Sequence, residues 1–188
     1  MERASSNSAV GLFLTQSDAV PMPLDQEMLA LFDLLRMPVL RYAVSFGLAQ
    51  CDGEDILQEV FLALFHHLRK RRSRSNLRAW IFRVTHNLAL RRRMLIQSRA
   101  RLTQLDAYTP EEHYTSELNP EEIAIAGEQH ADLLRVYRTL PDRDQRCLQL
   151  RAEGLTYREI AGVVGVSLGT VATILVRSLS RLGQMNAR

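Results

Sequence analysis

Residues 156–182 read TYREIAGVVGVSLGTVATILVRSLSRL, and this stretch decides the fold of the C-terminal part of the chain. Thr156 and Glu159 make a T-x-x-E capping box, in which each side chain accepts the other residue's otherwise unpaired backbone N–H. The helix so opened carries Ile160, Ala161 and Val164 inward and is short, because Gly165 breaks it. Ser167 caps the next helix, where Val171, Leu175, Leu179 and Leu182 mark one side. A short helix, a three-residue turn containing glycine and a longer helix form the order in which a helix-turn-helix lays its second helix across a DNA major groove. A plain αα-hairpin in a helical bundle uses the same caps, so spacing alone leaves both readings open.

Immediately upstream, Pro141 opens a helix that carries Cys147, Leu148 and Leu150 inward, and Gly154 supplies the left-handed position that ends it. A further helix is expected from Pro120 through Ile123, Ala126, Leu133, Leu134 and Tyr137. Towards the N-terminus, a helix from Asp25 turns Met28, Leu31, Leu34 and Leu35 inward, and Pro38 starts or kinks a second segment through Leu40, Val44 and Leu48. Asp52 sits at an N-cap position before a stripe of Ile56, Leu57, Val60, Phe61, Leu64 and Leu68. After a basic loop, a helix opening at Ser75 or Asn76 buries Leu77, Trp80, Ile81, Val84 and Leu88. No stretch alternates with the period of a strand. The fold class is all-α: two small helical domains joined by a flexible acidic linker, the C-terminal one a helix-turn-helix. The expected organisation is a tail over 1–23, a helical domain over 24–97, a linker over 98–119 and a second domain over 120–184.

Charge is distributed unevenly along a chain of 188 residues whose formal net charge is only +3. Residues 69–101 hold twelve Lys and Arg and no acid, whereas residues 102–134 hold eight acids and no Lys or Arg. A cationic surface beside an anionic connector favours a polyanionic partner. The two cysteines, Cys51 and Cys147, have no metal-ligand spacing and suggest neither a zinc site nor a disulfide framework. The five histidines have no HExxH pattern or Cys partner, and there is no glycine-rich phosphate loop, so no enzyme, cofactor or metal is expected. The apolar run over residues 9–14 is too short for a signal segment or a membrane span, which makes the cytoplasm the expected location.

Three segments in register resemble one family. DGEDILQEVFL at 52–62 resembles the run D-x-E-D-[LI]-[VL]-Q-E-x-F-L, and LRAWIFRVTHNLAL at 77–90 resembles F-R-x-W-L-Y-R-I-A-R-N-L-A-L. Leu140-Pro141, Tyr157 to Ala161 and Val166 to Val171 resemble L-P…[YS]-x-E-I-A…[VI]-S-x-G-T-V. The pattern is that of bacterial RNA polymerase sigma factors of the extracytoplasmic-function type. The resemblance implies a promoter-specificity subunit that performs no bond chemistry. Its first domain would dock on the clamp helices of the largest polymerase subunit through Asp55, Gln58 and Glu59. The same domain would hold the unstacked minus-ten strand through Lys70, Arg71, Arg72, Arg74, Ser75, Asn76, Arg78, Arg83 and Asn87, as cationic grooves hold single strands. Its second domain would read the minus-thirty-five duplex through Ser167, Thr170, Thr173 and Arg177, and touch the β flap. An anti-sigma factor is a further partner that the family implies, and membrane insertion is not expected.

The recognition helix departs from the family pattern. Ala172, Ile174, Val176 and Leu179 stand where Lys, Arg, His and Arg are common, and Ala172 or Ile174 would then meet a thymine methyl. Position 91 also departs, with Arg in place of Asp. Trp80 reads as a core residue by its period. Two alternatives stay open: a stand-alone helix-turn-helix regulator, and a diverged sigma-like protein that acts mainly through protein contacts.

Overall fold

The computed structural model describes residues 23–70, 72–103 and 133–184, and among them every regular element is a helix. Two compact units divide at residues 108 and 109. The first holds α1 (Leu24–Val44), α2 (Gln50–Arg69) and α3 (Leu77–Thr103). The second holds a helical segment at 133–139, then α4 (Asp142–Ala152), α5 (Tyr157–Val164) and α6 (Leu168–Gly183).

In the first unit, α1 continues through Pro38 instead of restarting there. The carbonyl that the proline leaves unbonded belongs to Leu34, an exposed residue, where water can satisfy it. Leu34 therefore faces outward, contrary to the expected stripe, and Leu31, Leu35, Val39, Tyr42 and Ala43 form the buried face. Helix α2 begins two residues before Asp52, which lies in its first turn beside the positive end of the helix dipole. At Gly53 the side chains of α1 crowd α2: a Cβ there would stand 2.9 Å from Val44 Cγ2 and 3.0 Å from Leu40 Cδ1, so a larger residue would force those side chains to shift.

Helix α3 opens after Asn76, whose Oδ1 accepts from the Ala79 N–H at 3.4 Å while its backbone takes a φ of 57°. Its buried residues are Leu77, Ile81, Phe82, Thr85 and Ala89. The helix is rotated from the expected stripe, leaving Trp80, Val84 and Leu88 half-buried. The reason is Tyr42, which packs edge-on against Phe82 and reaches His86 Nδ1 at 2.8 Å. A tyrosine hydroxyl taken from water requires such a partner, so that contact sets the face α3 presents. Helix α3 also runs to Thr103, six residues past the boundary expected at 97.

In the second unit, α4 ends in a Schellman motif: Leu155 N–H bonds Leu150 O at 3.0 Å and Gly154 N–H bonds Arg151 O at 2.9 Å. The capping box of α5 is present, with Thr156 N–H on Glu159 Oε2 at 2.7 Å and Glu159 N–H on Thr156 Oγ1 at 3.4 Å. Eight residues are too few for a helix stable by itself. Burial of Ile160 and Val163, worth roughly 1.5–3 kcal/mol each, outweighs the ~1 kcal/mol of the cap. The expected inward residues Ala161 and Val164 are only half-buried. Gly165 at φ 75° turns the chain, Ser167 caps α6, and the two helices are bent by 105° at the break, within the range that defines a helix-turn-helix. The helix expected from Pro120 lies outside the described residues up to 132, and residues 133–139 continue as helix.

Replacing Gly165 by Ala forces a left-handed backbone on an L side chain and is expected to destabilise the second unit by about 1–2 kcal/mol. Gly162→Ala, at a helical position with open space around it, is expected to stabilise by roughly 0.5–1 kcal/mol. Urea unfolding of the two variants, followed by helical circular dichroism, measures both.

Candidate nucleic-acid interface

Asp55, Gln58 and Glu59 are all exposed on α2 and lie at i, i+3 and i+4, which places them on one face. Leu62 extends that face by another turn and is 58% exposed. It went unnoticed in the sequence because its apolar side chain reads as core, although its spacing of seven from Asp55 was visible. Asp55 also approaches Arg92 of α3 at 3.6 Å, while Arg92 makes its shorter contact, 2.8 Å, with Asp52. Arg92 thus links α3 to the start of α2.

The loop between α2 and α3 is ordered by its own bonds. His67 Nε2 lies 2.9 Å from Ser73 O, and the Ser73 and Ser75 hydroxyls are 2.6 Å apart. Arg74 makes a two-pronged pair with Glu27 of α1: its Nε donates to Oε1 at 3.1 Å and its Nη2 lies 3.1 Å from Oε2. Lys70, Arg72, Arg74, Ser75 and Asn76 are exposed, and Arg71 lies outside the described residues. On α3, Arg83 and Asn87 are exposed one turn apart and Arg78 is half-buried. Trp80 is not the core residue expected: it is half-buried, and its ring lies 4.6 Å from that of His67. Trp80, Arg83 and Asn87, at i, i+3 and i+7, share a face next to the basic loop. No local pattern singles out His67, because only the fold brings it to Trp80.

On α6 the four polar residues expected at the duplex are engaged within the chain. Ser167 Oγ accepts from Thr170 N–H at 3.1 Å, the two hydroxyls are 2.8 Å apart, and Thr173 Oγ1 donates to Gly169 O at 3.0 Å. Arg177 donates to Asp144 Oδ2 at 2.6 Å, and that carboxylate is almost wholly buried. Ile174, one of the two expected methyl contacts, is in the core at 4% exposure, and Leu179 is exposed where it was expected to pack. The solvent face of α6 instead presents Leu168 and Val176.

Among the described residues, no group of three His, Cys, Asp or Glu side chains is placed to hold a metal ion, and no single helix is long and apolar enough to cross a membrane. A family model described as Sigma-70 region 2 matches residues 31–98, and one described as Sigma-70, region 4 matches residues 130–182. Over 148 residues the chain is 32% identical to the ECF RNA polymerase sigma factor SigE of Mycolicibacterium smegmatis, covering 77% of this chain and 55% of that relative. The chain belongs to the sigma-70 family, and the relatives it matches are of the extracytoplasmic-function type. Another relative is the ECF RNA polymerase sigma-E factor of Escherichia coli, 26% identical over 133 residues, with 68% of this chain and 70% of the relative covered. The chain thus spans little more than half of the first relative's length and about two thirds of the second's. Two solved structures share the fold at a TM-score of 0.57. One is the sigma factor RpoE of Bartonella quintana, crystallised with the anti-sigma factor NepR, at 19% identity over 84% of this chain and 94% of that one. The other is CnrH with the cytosolic domain of CnrY, at 20% identity over 87% and 89%.

Arg177→Ala leaves the Asp144 carboxylate buried with, among the described residues, the long bond from Ser178 Oγ at 3.4 Å. The variant is expected to lose about 1–3 kcal/mol of stability without DNA present, as read by urea unfolding. Cys147 lies nearby, fully buried, and its thiol is pushed up to about 11 from an ordinary 9.0 by burial and then by the charge of Asp144, with Arg143 offsetting part of the rise. The thiol holds its proton more tightly in the folded state than in the unfolded, so stability is expected to fall as pH rises from 9 towards 11. At pH 8 iodoacetamide is expected to modify the exposed Cys51 quickly and Cys147 only on unfolding; timed alkylation with mass spectrometry separates the two.

Proposed function

We propose that this chain binds core RNA polymerase and directs promoter-specific initiation of transcription. The observation that carries the proposal is the occurrence of both sigma-70 segments in order in one chain, each on its own compact helical unit. In this reading the face of Asp55, Gln58, Glu59 and Leu62 docks on the clamp helices of the largest subunit. Exposed carboxylates and an apolar side chain there can meet a cationic, partly apolar partner without unfolding anything.

The basic loop, with Lys70, Arg72 and the neighbouring Arg83 and Asn87, holds the displaced minus-ten strand. Phosphates meet the cations, and the half-buried Trp80–His67 pair offers a ring face on which a base can stack. The helix-turn-helix binds the minus-thirty-five duplex, and the second unit touches the β flap. An anti-sigma factor that covers these surfaces would keep the protein inactive in the cytoplasm. The chain contributes binding energy and strand capture, while the polymerase performs the chemistry.

The test is run-off transcription by core enzyme from the same organism on promoters of its own genome. The expected result is initiation at defined start sites only when the protein is added; its absence on every promoter would overturn the proposal. Asp55→Ala combined with Gln58→Ala and Glu59→Ala is expected to weaken core binding at least tenfold while leaving the helical circular dichroism unchanged. A stand-alone regulator would keep its function through that change.

A further inference from the structure

The second unit carries an exposed apolar face where a DNA reader needs selectivity. Leu168 is 50% exposed, Val176 is 65% exposed and Ala172 is half-buried. They stand at i, i+4 and i+8, so they form one stripe along the first two turns and a half of α6. Those turns are the part of the second helix of a helix-turn-helix that meets base edges, and the 105° bend before them is of the right size to present them.

The polar side chains that would ordinarily read bases are committed elsewhere. Ser167 and Thr170 form the cap, Thr173 bonds the helix backbone and Arg177 is held by Asp144. The surrounding charge nevertheless suits a polyanion. Residues 133–184 contain eight arginines and four acids, and α6 itself has Arg177 and Arg181 and no acid. Of the acids, Asp142 and Asp144 pair with Arg146 and Arg177, and Glu159 is held in the capping box.

Resting on the function proposed above, we infer that Leu168, Ala172 and Val176 select the upstream promoter duplex by contact with the C5-methyl groups of thymines in the major groove. The methyl group is the one apolar feature that distinguishes a base pair in that groove, and an apolar stripe on a helix that carries no acid fits it. Hydrogen-bond readout contributes little in this arrangement, and the arginines serve the phosphates.

Replacing thymine by deoxyuridine removes that methyl and nothing else, so it tests the inference directly. A promoter on which the full chain and core polymerase initiate correctly is rebuilt with deoxyuridine at each thymine of the upstream element, and the two templates compete in one reaction. Use of the substituted template is expected to fall about fourfold for each methyl contacted. Val176→Ala is expected to shrink that preference, and Val176→Thr, which keeps one methyl, to retain part of it. Correct initiation with equal use of both templates overturns the methyl reading and leaves the promoter-directing function standing. Loss of core binding by Val176→Ala with an unchanged template preference also overturns it and makes the stripe a protein contact. Failure to initiate on any genomic promoter sinks the function itself, and the inference with it.

Discussion

The buried carboxylate of Asp144 is the contact on which the second unit's outward face depends. It lies in the first turn of α4 and accepts from Arg177, two and a half turns along α6, at 2.6 Å. A buried carboxylate without a donor would be costly, so α6 cannot rotate about its axis without losing that partner. The burial of Val171, Ile174, Leu175 and Ser178 holds the same rotation from the apolar side. Once that setting is fixed, Leu168, Thr173 and Val176 must point to solvent, and the character of the recognition surface follows from it.

In the first unit, packing rather than ion pairing does most of the stabilising. The Arg74–Glu27 and Arg92–Asp52 pairs are partly exposed to water, and such pairs contribute roughly 0–1 kcal/mol. Their consequence is positional. Arg74 ties the basic loop to α1, and Arg92 ties α3 to the first turn of α2. The loop's serines and His67 complete the arrangement, so that cationic and aromatic groups lie beside one another on a supported surface. Preorganisation of this kind lowers the ordering cost of binding a flexible strand.

The same logic separates the two units in how they would meet nucleic acid. The first combines Arg and Lys with a ring pair, which suits bases already out of the stack. The second presents an apolar stripe on a unit with more arginines than acids, which suits the floor of a groove.

Local signals were legible in the residues themselves: the capping box of Thr156 and Glu159, the turn at Gly165, the cap at Ser167 and the apolar period of α2. Each depends on interactions within a few positions, which is why the helix-turn-helix and the all-helical class could be read directly, and why three spaced segments were enough to suggest the family. Tertiary structure decided which side of each helix faces inward. Tyr42 reaching His86 rotated α3 so that Phe82 and Thr85 are buried and Trp80 meets His67. Asp144 reaching Arg177 turned Ile174 into the core and left Val176 exposed. A helical period permits several neighbouring stripes, and only a partner from a distant part of the chain, satisfying a buried polar group, selects one of them.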